Sequence, residues 1–121
     1  MQPTNFTIVQ GTPFRFLVKV RTKNDAGESI PVLLPPETVI QLQARFNVTD
    51  VATVLDLSTK TGEIELTGDA GNFVVTMSSD QTSNLKWRRP RARYQCEVHL
   101  PDGEDIRVLE GILSLDPEVV R

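Results

Sequence analysis

Apolar side chains in this chain recur at every second position, a spacing that admits strands and excludes long amphipathic helices. In FRFLVKVR, Phe14, Phe16, Val18 and Val20 share one face, while Arg15, Lys19 and Arg21 share the other. VIQLQARF repeats the arrangement, with Ile40, Leu42, Ala44 and Phe46 set against Gln41, Gln43 and Arg45. NFVVTM groups Phe73, Val75 and Met77, and later Tyr94, Cys96, Val98 and Leu100 alternate with Gln95, Glu97 and His99. Each such strand has one dry and one wet face, and two sheets stacked on their dry faces satisfy all of them together.

Turn chemistry separates these runs. Asp25-Ala26-Gly27 turns the chain within TKNDAGESIPV, Leu34-Pro35-Pro36 interrupts any regular element, and Gly68 to Gly71 make a further turn. Shorter strands are expected over 51–57 and 62–66, with STKTG as the loop between them. SSDQTSNL fits a single helical turn capped by Ser78 or Ser79. The final hairpin is the clearest local signal: Pro101-Asp102-Gly103 closes it, and the chain returns over 106–109 and 112–115. Gly111 inside the return strand marks a bulge or a close approach, with Glu110 at the kink, and Asp116-Pro117 ends the strand. The expectation is an all-β fold, an antiparallel immunoglobulin-like β-sandwich of about seven or eight strands with at most one short helical turn.

At 121 residues the chain suits one domain, spanning 1–121, whereas two domains would each have a marginal core. No apolar run approaches the roughly 20 residues of a membrane helix. MQPTNFTIVQG has neither a cationic start nor a long apolar stretch, so no signal peptide is expected, and synthesis in the cytosol follows. A single cysteine, Cys96, excludes an internal disulfide framework.

The residues do not assemble a catalytic group. His99, the one histidine, alternates outward and Cys96 inward, so they cannot form a nucleophile–base pair within one chain. Cys96 reads as a buried apolar thiol. Asp102, Glu104 and Asp105 cluster at the hairpin tip, but LPDGEDI lacks the ligand spacing of a calcium loop. Glu63 and Glu65 fall on a wet strand face, and no glycine-rich phosphate loop runs from a strand into a helix. No catalytic residue, cofactor or metal is expected.

Charge is distributed unevenly. KWRRPRAR at 86–93 holds Lys86, Arg88, Arg89, Arg91 and Arg93 and no anion, although the whole chain carries a net −3. Trp87 lies inside this run, and tryptophan and arginine are enriched at interface hot spots. Lys86, Trp87, Arg88, Arg89, Arg91 and Arg93 are therefore candidate partner-binding residues, the alternative being a solvated connector entering the last hairpin. Nucleic acid is disfavoured as the partner, because the domain is acidic overall and offers no second aromatic platform. The counter-surface would be acidic: Asp102, Glu104, Asp105 and Glu110 on another copy would give a head-to-tail contact.

The order of these motifs resembles a known family. IVQGTPFRFLVKV, NDAGESIPV, VIQLQARF, GNFVVTMSSDQTSNL and RYQCEVHLPDGEDIRVLEGILSLDPEVVR follow one another as in the small β-sandwich domains of tailed-bacteriophage virion proteins. The chain is similar in particular to the N-terminal domain of upper baseplate proteins. The likeness covers nearly the whole chain and is strongest over 94–121, including Leu100-Pro101-Asp102-Gly103, Gly111-Ile112 and Val119-Val120-Arg121. It departs from the family at Gly11-Thr12-Pro13-Phe14, where Gly-Asp-Thr-Phe is usual, and at Ile30-Pro31, where an Asp-Leu pair is missing. The third departure is Arg88-Arg89-Pro90-Arg91-Ala92-Arg93-Tyr94, where the family has a short Pro-Gly-x-Tyr.

The resemblance implies a non-enzymatic virion structural protein in the tail, baseplate, neck or fibre attachment. Its partners would be other virion proteins and further copies of itself, reached after synthesis in the host cytoplasm, with no membrane involved. The alternatives are a capsid decoration or cement protein, or a carbohydrate-binding module of a phage tail, for which Trp87 and Tyr94 are the candidate aromatics.

Overall fold

The alternating runs become strands with their apolar sets turned inward. A computed structural model describes residues 3–117, so Glu118, Val119, Val120 and Arg121 lie outside the described residues. Among these the chain forms β1 (Phe6–Val9), β2 (Phe14–Lys19), β3 (Arg21–Lys23), β4 (Ser29–Pro31) and β5 (Val39–Arg45). After them come β6 (Leu55–Ser58), β7 (Ile64–Leu66), β8 (Asn72–Met77), the short helix α1 (Ser79–Ser83), β9 (Arg91–His99) and β10 (Asp105–Asp116). The fold is all-β with one short helix, as the spacing predicts.

Two sheets carry the core. The larger has the order β1-β10-β9-β5-β6 and the smaller β2-β8-β7, with β3 and β4 as a separate pair. Ile40, Leu42 and Ala44 from β5 and Tyr94, Cys96 and Val98 from β9 are buried against Phe73, Val75 and Met77 from β8. Phe6 of the larger sheet stacks on Phe16 of the smaller at 4.3 Å between ring centroids, closing one flank of the sandwich. Phe6 and Phe16 are partly buried, whereas Phe73 is fully so, and fully burying a side chain of this size contributes about 1.5–3 kcal/mol relative to leaving it exposed.

The helix is fixed by its own termini. Ser78 is the N-cap: its Oγ accepts from the Gln81 N–H at 3.1 Å, and Gln81 Oε1 accepts from the Ser78 N–H at 2.8 Å. Thr82, fully buried, docks the turn by accepting from the Gly11 N–H and donating to the Thr12 carbonyl.

The structure differs from the sequence expectations in four places. The strand expected over 51–57 shortens to β6, because residues 47–54 leave the sheet as a loop exposing Val48 and Val51. TKNDAGESIP is more than a turn: β3 and β4 pair across Gly27, whose φ of 79° suits the reversal, and so raise the strand number to ten among the described residues. The first strand is parallel to the last, with Phe6 opposite Leu113 and Val9 opposite Asp116, so the larger sheet is mixed.

The bulge falls at Val108, between Arg107 and Leu109, and not at Gly111. Val108 and Leu109 therefore both pack on the core, and the pattern changes phase there. Gly111 serves the close approach. A Cβ built on it would lie 2.2 Å from the Thr4 carbonyl oxygen, where the N-terminal segment crosses β10. That crossing is held by the Thr4 N–H on the Glu110 carbonyl, the Tyr94 hydroxyl on the Thr4 carbonyl at 2.6 Å, and the Ile112 N–H on Asn5 Oδ1.

Candidate functional site

The basic run divides between two environments. Lys86, Arg88 and Arg89 lie in the connector between α1 and β9, whereas Arg91 and Arg93 stand on the outer face of β9, and all five are exposed. Trp87, half-buried between them, is an anchor for the connector. Its Nε1–H donates to the Val54 carbonyl at 3.2 Å, and its ring meets Phe46 edge-on at 6.0 Å. Arg88 lies over the other aromatic partner, 5.2 Å from the Phe46 ring centroid. The indole thus fastens the connector to the 47–54 loop and positions the cations on either side of it.

None of the five cations forms an ion pair among the described residues. The candidate acids are more engaged. Asp105 Oδ1 lies 2.7 Å from His99 Nδ1, and Glu110 reaches Arg107 at 3.9 Å. Asp102 accepts from the Glu104 N–H at the exposed hairpin tip, which leaves Glu104 itself facing solvent. Asp102 and Glu104 therefore sit together at the tip, while Glu110 stands apart on the sheet face.

That face is the feature sequence reasoning did not assemble. The outer surfaces of β5, β9 and β10 form a concavity of about 610 Å³, edged by Pro3 and Asn5 on one side and Val48 on the other. Its floor is a ladder of cross-strand rungs. Gln41 and Glu97 make one rung, Gln43, Gln95 and Glu110 the next, and Arg45, Arg93 and Ile112 the third. Arg45 and Arg93 are thus direct neighbours in register. The available signal was each residue's wet-face position; which strands would become neighbours was not visible locally. Arg89 and Arg91 line a second concavity of about 550 Å³ with Thr7, Ser114 and Asp116.

His99 and Cys96 sit on opposite faces of β9, as expected. Burial, reinforced by the neighbouring Glu97 charge, pushes the Cys96 thiol up to about 12, so it stays protonated and unreactive at neutral pH. Burial likewise raises the Tyr94 phenol above its ordinary value, and the buried Tyr94 ring is no sugar platform. Among the described residues no group of three or more His, Cys, Asp or Glu side chains is placed to hold a metal ion, and no helix is long and apolar enough to cross a membrane. No protein-family model matches the chain, and a comparison with curated proteins finds no match.

Proposed function

We propose that this chain is a non-enzymatic structural protein of a tailed-bacteriophage virion, an adaptor of the tail, baseplate, neck or fibre attachment that works through protein–protein contacts. The observation that carries the reading is that Lys86, Arg88, Arg89, Arg91 and Arg93 are all exposed and form no ion pair among the described residues, in a protein with an excess of acid. A molecule able to neutralise these cations internally leaves them facing outward, which favours a partner that supplies the opposite charge. The resemblance of its motif order to baseplate domains favours the virion setting, and the sandwich is compatible with an immunoglobulin-like frame.

The contact is assigned to Lys86, Arg88 and Arg89, held in place by Trp87. The matching acids are Asp102 and Glu104 at the hairpin tip of a neighbouring copy. Such a head-to-tail contact uses two different patches, so it closes into a ring when the rotation allows. Light scattering on the purified protein at about 50 mM and about 500 mM salt tests it, since the screening length falls about threefold between them. The expected result is a closed oligomer at low salt that dissociates at high salt, and that Arg88→Ala with Arg89→Ala abolishes. Assembly and partner binding unchanged in that double variant would overturn the reading.

A further inference from the structure

We infer that the concave outer face of β5, β9 and β10 is a binding site for a carboxylated saccharide, with Arg45 and Arg93 as the carboxylate clamp. This site goes beyond the assembly reading and uses the sheet face, not the connector.

The argument begins with the two arginines. Arg45 and Arg93 are directly opposed on neighbouring antiparallel strands. Directly opposed side chains have Cβ atoms about 4.5–5.5 Å apart, and like charges there are destabilising. No carboxylate among the described residues lies within ion-pair distance of either. Arg45 only reaches the neutral Gln43 Oε1, at a long 3.4 Å. Two unneutralised guanidinium forks at the floor of a 610 Å³ concavity form a geometry suited to a planar carboxylate.

The rest of the lining restricts what carries that carboxylate. One rung away are Gln43 and Gln95, and beyond them Gln41 and Glu97, with Glu110 beside Gln95. Amides and carboxylates together accept and donate to hydroxyl groups. The same carboxylates oppose a polyphosphate, the Tyr94 ring is buried, and the one other lining aromatic ring, His99, is held at 2.7 Å by Asp105, so the face lacks the stacking platform that nucleic acid needs. An acidic peptide would need an apolar anchor, and the aliphatic side chains here are confined to Pro3 and Val48 at the edges and Ile112. It would also need free backbone groups, yet β9 is hydrogen-bonded on both sides, to β10 and β5. The ligand that fits is anionic at one end and hydroxyl-rich along its length. From the arginine rung to the Glu97 rung is four residues, about 13 Å, which accommodates a short oligosaccharide.

Titration of the full chain with trigalacturonic acid, followed by heteronuclear NMR, tests this. The expected result is saturable binding at about 1 mM or tighter, with the amide shifts centred on Arg45, Arg93, Gln43 and Gln95. Arg45→Gln and Arg93→Gln should each weaken it about tenfold or more without lowering the melting temperature, and the methyl ester of the same trisaccharide should lose as much. Hexaglutamate supplies the charge without the hydroxyls and should not compete. No saturable binding by trigalacturonic acid or N-acetylneuraminic acid, equal competition by hexaglutamate, or undiminished binding by Arg93→Gln would each overturn the site. Because Arg88 and Arg89 are untouched, these outcomes are independent of the ring test.

Discussion

The two faces of β9 teach different lessons from the same nine residues. Inward, Ala92, Tyr94, Cys96 and Val98 are each no more than 2% exposed and meet the opposite sheet. Outward, Arg91, Arg93, Gln95, Glu97 and His99 stand in register with the outer-face residues of β5 and β10 and face no second sheet. The inner face is dictated by volume and hydrophobicity, and a wrong choice there affects folding. The outer face is nearly free of folding constraint, so its unusual chemistry, two arginines abreast, points to something outside the molecule.

The sharpest way to break that contrast is to disturb the inner side. Phe73, fully buried opposite β9's inner face, should cost about 3–5 kcal/mol when changed to Ala, measured by urea unfolding. Gly111→Ala acts on the seam between the faces: its Cβ collides with the Thr4 carbonyl, so the N-terminal crossing must shift. A loss of about 1–3 kcal/mol is expected, accompanied by faster hydrogen exchange at the Thr4 and Ile112 amides. Arrangement of the inner face also predicts alkaline sensitivity. The unfolded chain releases the Cys96 proton near its ordinary 9.0, while the fold holds it to about 12. Stability should therefore be intact below 9.0 and fall by about 1.4 kcal/mol per pH unit above it for this group, a slope that Cys96→Ala removes between 9.0 and 10.0, beyond which the buried Tyr94 phenol adds its own. The smallest effect belongs to the outer face: Arg93→Gln should change stability by no more than about 0.5 kcal/mol, in the stabilising direction, since it removes a like-charge neighbour. A large loss on that substitution would show that the outer face is as constrained as the inner one.

The same contrast explains what could be read before the structure. Inner-face residues announce themselves, because burial imposes a period of two on β5, β8 and β9, and the hairpin at Gly103 and the cap at Ser78 carry local turn chemistry. The β3–β4 hairpin was missed as strand because all six of its residues are exposed, so no alternation marks it. Parallel pairing of β1 with β10 joins residues more than a hundred positions apart and leaves no local trace. Trp87 was singled out as a partner-binding residue, and its ring meets Phe46 and its N–H the Val54 carbonyl, contacts that depend on a loop no periodicity describes. Gln43, Arg45 and Gln95 were recognised as wet-face residues and Arg93 as part of the basic run, but their convergence depends on strand order, which belongs to the tertiary fold alone.

The parallel pairing of β1 and β10 has a mechanical consequence. Tension entering at Phe6 and leaving at Asp116 pulls the two strands past one another along their length, so the slanted hydrogen bonds between them bear the load together. An antiparallel hairpin pulled from its open end would instead yield one rung at a time. The first and last strands thus form a clamp in shear, the geometry that best resists being drawn out along the chain.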